Sequence, residues 1–271
     1  MRRVLFEVFG HPIYAYGFCL GIALISGWAL AFRFAERDGM KIDRIKTVIF
    51  IGIVGALLGA KITFLLVVPD AWQGISSLFD GQGLVAYGGY IGGIVVSMVG
   101  FRIIHDNFWR FADHAAPSFA LGLAIVRVGC FLNGCDFGGV CDQAWAVSFP
   151  AGSPAHDWHH ECGLIEADAP ASKPVHPTQL YATGYGLALF AFLLWSRTWK
   201  RLFYGQQMML FLGIYAVLRF GNEILRDDPQ RGAWAGLSTS QWISLTILGF
   251  VAVTSVVFYR RAKRDPAVAP S

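Results

Sequence analysis

Apolar residues gather into seven runs, near 13–32, 47–68, 84–104, 112–131, 178–196, 207–225 and 238–258, with polar stretches between them. At 1.5 Å per residue, each run is long enough to cross ~30 Å of hydrocarbon as a helix. The pattern predicts an all-α polytopic membrane protein: seven transmembrane helices in one integral membrane domain, residues 1–271, with a long outer loop, 132–177, between the fourth and fifth. Residues 1–12 read as a short interfacial segment in which Val4, Leu5, Phe6, Val8 and Phe9 are apolar. Glu7 and Pro12 interrupt it too early for a cleavable signal peptide. No internal repeat or low-complexity tract is evident.

Composition agrees with a membrane protein. Hydrophobic residues make up 55% of the chain and charged residues 15%, against about 25% charged in soluble domains. The net charge of +4 comes from scattered loop residues rather than a basic stripe, which argues against nucleic acid as a partner. The loop charges alternate. The first loop carries Arg33, Arg37, Lys41, Arg44 and Lys46, and the second carries no Lys or Arg. The third has Arg102 and Arg110, and the fourth has only Lys173. The fifth has Arg197, Lys200 and Arg201, and the sixth sets Arg226 and Arg231 against Asp227 and Asp228. The tail carries Arg260, Arg261, Lys263 and Arg264. The excess of basic residues on cytoplasmic loops therefore puts the N-terminus outside and the C-terminus in the cytoplasm, with Arg2 and Arg3 the only dissent.

This orientation gives each polar residue in a span a depth. Tyr16 lies at the outer end of the first run, Lys61 in the outer part of the second, and Tyr87, Gly88 and Gly89 open the third. Arg127 is near the outer end of the fourth, Gln179 and Tyr181 start the fifth, Arg219 and Glu223 lie in the outer half of the sixth, and Gln241 starts the seventh. Snorkelling and aromatic belts account for such residues one at a time. An arginine at membrane depth costs roughly 2.5–3.5 kcal/mol, however, so Arg127 calls for a reason. Lys61, Arg127 and Arg219, with Glu223 as their nearby carboxylate, predict a missing negative partner, and a phosphate from the outer leaflet fits. That phosphate implies an anionic phospholipid. The inner halves carry little beyond Asp113 and His114, which argues against a solute path across the membrane. Most glycines of the second and third runs suit close helix packing, whereas Gly88 and Gly89 beside Tyr87 are candidates to line a site.

Arg127–Gly139 reads RVGCFLNGCDFGG, and residues 87–93 read YGGYIGG. With Tyr16-Gly17, the HPTQLY run His176–Tyr181, the series Tyr215, Arg219, Glu223, Arg226, and Gln241 with Ser244, these motifs span the chain in order. The chain resembles the prolipoprotein diacylglyceryl transferases, seven-helix enzymes of the bacterial inner membrane. Their signature GRxGNFxNGExxG is matched at Arg127, Gly129, Phe131, Asn133, Gly134 and Gly138, and their HGGLxGG corresponds to residues 87–93. The resemblance implies transfer of an sn-1,2-diacylglyceryl group from phosphatidylglycerol to the lipobox cysteine of a prolipoprotein, with no cofactor and no metal. The implied partners are the phosphatidylglycerol, the prolipoprotein signal peptide and the bilayer. It gives catalytic roles to Tyr87, Arg127 and Arg219, and phospholipid binding to Tyr16, Lys61, Gly88, Gly89, Asn133, Gly138, Glu223 and Gln241.

Three positions depart from the family pattern. Tyr87 replaces the histidine of HGG, and Cys130 and Cys135 replace the signature asparagine and glutamate. Cys130, Cys135, Cys141 and Cys162 all fall on the outer side, where a disulfide or redox role is expected. His156, His159 and His160 lie near Cys162 but match no standard zinc spacing. Two functions stay open: the family's transfer reaction, or a paralogue that binds or modifies an anionic phospholipid, through thiol-linked chemistry, without acting on prolipoproteins.

Overall fold

The computed structural model describes residues 4–8, 10–68, 85–227 and 232–265. Arg2, Arg3, Asp228, Arg231 and the second loop, including Leu84 at the start of the third run, lie outside them. The described residues are mostly helical. The long helices are α1 (Ala15–Arg37), α2 (Ile42–Val67), α3 (Ala86–Ile103), α4 (Phe108–Asn133), α6 (Thr178–Ser196), α7 (Gln206–Ile224) and α8 (Thr239–Arg264), and a short α5 (Pro154–Glu161) lies between α4 and α6. Among the described residues α1, α2, α4 and α8 are long and apolar enough to cross a membrane, and the apolar part of α3 is shorter, Tyr87–Ile103. In α6 and α7 apolar character is diluted by Gln179, Tyr181 and Tyr185, and by Arg219, Asn222 and Glu223. This is a polytopic membrane protein.

Several helices outrun their apolar segments for local reasons. α1 continues to Arg37 and stops at Gly39, where φ is +75°, with Met40 N–H bonding Ala35 O at 3.0 Å and Gly39 N–H bonding Glu36 O at 2.9 Å. This pair of bonds satisfies the last carbonyls of the helix. α8 runs on to Arg264 because Arg261, Lys263 and Arg264 complement the negative end of its dipole. The segment 1–12, expected to be interfacial, contributes to an antiparallel hairpin of β1 (Val4–Val8) with β2 (His11–Tyr14). Gly10, at φ +77°, makes its turn. A second hairpin, β3 (Ala233–Trp234) with β4 (Leu237–Ser238), precedes α8.

The chain divides into two compact units, Phe32–Phe111 and Met1–Ala31 with Ala112–Ser271. In the first, α2 and α3 pack through small residues. A Cβ on Gly55 would lie 2.6 Å from Val96, and one on Gly100 would lie 2.7 Å from Val48. Gly88 backs onto Gly59 and Thr63, and Gly89 faces Ala56 and Ala60. Both therefore lie at the interface between the two helices. Lys61 is buried, with its ammonium 5.3 Å from the centre of the Phe64 ring. Tyr87, on the first turn of α3, is exposed.

In the second unit, Ala116 and Ala120 of α4, Leu189 and Leu193 of α6 and Phe211 of α7 form one core. α6 comes close to α4 because Gly186 sits over Ala124, where a Cβ would be 3.2 Å away. Gly129 of α4 does the same against Tyr16 and Cys19 of α1. At one end of α4 the buried Asp113 accepts hydrogen bonds from Gly205 and Gln207 N–H at 2.8 Å and from Met208 N–H at 3.2 Å, fixing the start of α7. The long loop between α4 and α6 has a core of its own, Phe137, Phe149, Ala155 and Val175, with Phe131 and Trp158 against it.

Candidate active site

The end of α4 is built to turn the chain sharply. Gly134, at φ +77°, donates from its N–H to Cys130 O at 2.9 Å and to Phe131 O at 3.2 Å, and Cys135 N–H bonds Cys130 O at 3.2 Å. This is a glycine-terminated helix cap in which residue 135 folds back over residue 130. Asp136 follows at φ +59°, a conformation that Asp adopts more readily than most residues. The turn is then fastened to both neighbouring helices. Gln179 Nε2 donates to Cys135 O and Thr178 Oγ1 to Asp136 O, each at 2.7 Å. Gly138 N–H bonds His176 O at 3.0 Å and Gly139 N–H bonds Leu225 O at 2.9 Å. A side chain on Gly138 would lie 2.7 Å from His176 and from Leu225 O, so this glycine is needed for the junction itself.

These fastenings aim the Asp136 carboxylate at two arginines. Its Oδ2 pairs with Arg127 of α4, and its Oδ1 accepts from Arg226, just past the end of α7, at 2.6 Å. On α7, Tyr215, Arg219 and Glu223 recur at i, i+4 and i+8 and share a face. Glu223 pairs with Arg219 and lies 3.9 Å from Arg226 Nε, and Arg219 Nη2 reaches Ser240 of α8 at 2.9 Å. Burial pushes the Asp136 carboxyl up, but Arg127 and Arg226 outweigh it and hold it below the usual carboxylate range. Glu223, expected as the nearby carboxylate of the buried cations, is therefore joined by a second one. Asp136 is the second carboxylate, and Arg226 the further cation.

Inside this ring stands Tyr185 of α6. Its hydroxyl is buried with no hydrogen-bond partner among the described residues, and Arg127, Arg219, Arg226 and Tyr215 lie within electrostatic reach. Arg127 Nε is likewise buried without a partner. Three guanidiniums and two carboxylates thus lie about donors that nothing among the described residues takes up. Tyr16 of α1 borders the same site, near Arg127, Cys130, Cys135 and Asp136.

Other expected residues lie elsewhere in the fold. Gln241 forms a capping box with Ser238, accepting Ser238 N–H at 2.9 Å while its own N–H bonds Ser238 Oγ at 3.2 Å, and so starts α8. Asn133 bonds the Cys135 thiol. Tyr87 and Lys61 belong to the unit Phe32–Phe111. All five cysteines are free thiols, with Cys141 half-buried and Cys162 exposed. His156 and His159 fasten the long loop between α4 and α6: His156 Nε2 lies 2.9 Å from Ala169 O, and Lys173 N–H donates to His159 Nδ1 at 3.1 Å.

A model of the prolipoprotein diacylglyceryl transferase family matches residues 3–258 of this chain. The chain belongs to that family. It is similar to phosphatidylglycerol–prolipoprotein diacylglyceryl transferase 2 of Clostridium perfringens, 34% identical over 251 residues that cover 92% of either chain. The transferase of Clostridium tetani is 33% identical over 265 residues, 96% of this chain and 100% of that one. That of Mannheimia succiniciproducens is 34% identical over 257 residues, 91% and 88% of the two chains. In this member of the prolipoprotein diacylglyceryl transferases, Cys135 stands at the turn and the adjoining Asp136 makes the ion pairs.

Proposed function

We infer that this chain transfers the sn-1,2-diacylglyceryl group of phosphatidylglycerol to the lipobox cysteine of prolipoproteins, the first step of lipoprotein maturation. A substrate thiolate attacks the glyceryl carbon that bears the phosphate. The new C–S bond replaces the C–O bond, and glycerol 1-phosphate leaves. The departing phosphate carries the negative charge, so fixed donors that meet it in the transition state lower the barrier. The observation that carries this reading is the pair of unclaimed donors, Arg127 Nε and Tyr185 Oη, ringed by Arg219 and Arg226. A planar guanidinium meets a phosphate with two parallel hydrogen bonds, which a lysine cannot do. Asp136 and Glu223 hold the arginines in place before substrate arrives, so little reorganisation is needed at the moment of reaction. Tyr16, on the helix that borders the turn, would contact the head group in this reading.

The alternation of basic and non-basic loops supports seven crossings in the bacterial inner membrane, with the N-terminus outside and the outer loop in the periplasm. A lipid then reaches the arginines sideways while its head group stays near the outer surface. The test is rescue of a bacterial strain depleted of its own transferase. The chain restores lipoprotein modification, and its Arg127→Ala variant, present in the membrane at the same level, does not. Failure of the unaltered chain to rescue despite good expression would favour the paralogue reading, which the replacement of three family residues by Tyr87, Cys130 and Cys135 keeps open.

A further inference from the structure

The proposed transfer chemistry makes no use of the two thiols that flank the turn. Cys130 is the fourth residue from the end of α4 and is buried, whereas Cys135 lies past the turn and is half-buried. The helix cap folds one back over the other. Cys135 N–H bonds Cys130 O at 3.2 Å, the Cys135 thiol lies 3.7 Å from that same carbonyl, and the two sulfurs and an Asp136 oxygen all lie within 4.8 Å of one another. A metal ion is a poor occupant, because both Asp136 oxygens are already engaged by guanidiniums, whose charge would repel it.

We propose that Cys130 and Cys135 form a thiol–disulfide exchange site, with Cys135 as the attacking thiol, Cys130 as the resolving thiol, and a low-molecular-weight or protein disulfide as co-substrate. In the first step the Cys135 thiolate attacks one sulfur of R–S–S–R. A mixed disulfide forms on Cys135, and RS⁻ leaves and takes up the proton that Cys135 has lost. In the second step Cys130 gives up its proton and attacks Cys135 Sγ, closing the Cys130–Cys135 bond and releasing the second RSH. Two electrons pass from the protein thiols to R–S–S–R, which becomes two RSH. Closing the bond brings sulfurs that start within 4.8 Å of one another to the ~2.05 Å of a disulfide.

The assignment of roles follows from burial and hydrogen bonding. Cys135 is the more accessible of the pair, and the hydrogen bond from Cys130, followed by that from Asn133, draws its thiol down against the opposing effect of burial. Part of the gain in thiolate is cancelled because a less basic sulfur is a weaker nucleophile. The larger signature is the second step, which is intramolecular and leaves no adduct behind. Cys162, exposed and remote in sequence, provides an internal standard.

The experiment uses the full-length protein in detergent, treated with oxidised glutathione, quenched with an alkylating agent and mapped by mass spectrometry. The expected result is loss of alkylation at both Cys130 and Cys135, a peptide linked between them and no retained glutathione, all reversed by dithiothreitol. Cys130→Ser should instead trap one glutathione on Cys135, and Cys135→Ser should leave Cys130 unmodified. A stable glutathione adduct on Cys135 in the unaltered protein would overturn the proposal. So would oxidation of the pair no faster than adduct formation at Cys162. Should either serine variant fail to fold, the linked peptide and the absence of an adduct in the unaltered protein still decide the matter.

Discussion

Asp113 and Arg127 sit on the same helix, α4, about 21 Å apart at 1.5 Å per residue, and the fold treats their charges in opposite ways. The Asp113 carboxylate is fully buried and taken up by the N–H groups of Gly205, Gln207 and Met208 at the start of α7. Negative charge at a helix N-terminus is favourable, and the site has no use for a ligand. At the other end Arg127 shares Asp136 with Arg226, yet its Nε and the nearby Tyr185 hydroxyl have no partner among the described residues. Leaving a buried donor unsatisfied costs about 1–3 kcal/mol. A charge whose donors are all used holds the helices together, and a charge with donors to spare is kept for something that arrives.

The comparison breaks most directly at Arg127. Arg127→Ala should lower kcat/KM for transfer about 10²–10³-fold, the usual loss when one fixed donor to a developing anion is removed. Arg127→Lys should recover only part of this, because a point charge replaces the fork. Asp113→Asn should do the reverse. It removes a charge from the three backbone donors at a cost of about 1.5–3 kcal/mol in stability, read as a lower Tm, with transfer per folded molecule unchanged. A large loss of turnover in folded Asp113→Asn would show that the two ends are not separable.

Next in size is Asp136→Asn, which loosens Arg127 and Arg226 without removing either. We expect KM for phosphatidylglycerol to rise about tenfold with a smaller change in kcat, since an interaction of about 1.4 kcal/mol corresponds to that factor. The pH dependence has a definite sign. The Asp136 carboxyl is held below its unfolded value, so its contribution to stability is fully present above the unfolded value, ~3.9, and is lost as pH falls through the lower folded one. The difference in Tm between the unaltered protein and Asp136→Asn should therefore stay constant from pH 8 to 5. A difference that shrinks across that range would mean the carboxyl is not held low.

Much of this was legible in the residues, and the reasons differ from place to place. Arg127, Arg219 and Glu223 stand out because charge inside an apolar run has no other explanation. Asp136 does not stand out, since a carboxylate in a polar exit looks ordinary. Only the left-handed turn at Gly134 and the backbone bonds to His176 and Leu225 aim it at the arginines. Tyr185 was equally hidden, because a tyrosine in a membrane helix reads as packing until three guanidiniums are found around it. A small signal was available: Gln179, Thr178 and Tyr185 fall on the part of α6 that meets the turn. Gln241, Gly88 and Gly89 pose the opposite difficulty, since the structure gives each a cap or a packing contact. A polar side chain at a helix start, or a glycine beside a tyrosine, looks the same in sequence whether it caps, packs or binds.

Tyr185→Phe sharpens the contrast through two effects of opposite sign. Removing a buried hydroxyl that lacks a partner should leave stability unchanged or raise it by up to about 1 kcal/mol, while transfer falls roughly 3–10-fold through the lost hydrogen bond to phosphate. Lower activity together with lower stability would mean that the hydroxyl has a structural partner. The smallest effect belongs to Gln241→Ala. The capping box with Ser238 is worth about 0.3–1.5 kcal/mol, so Tm should fall slightly while KM for phosphatidylglycerol stays put. Because Gln241 is so near Ser240, which bonds Arg219 at 2.9 Å, this variant also tests how far the site depends on where α8 begins. A KM that rises with the fall in Tm, and is restored by Gln241→Glu, which supplies the same cap acceptor, would place the start of α8 within the machinery that positions Arg219. A KM unmoved by either substitution would leave Gln241 as a cap alone.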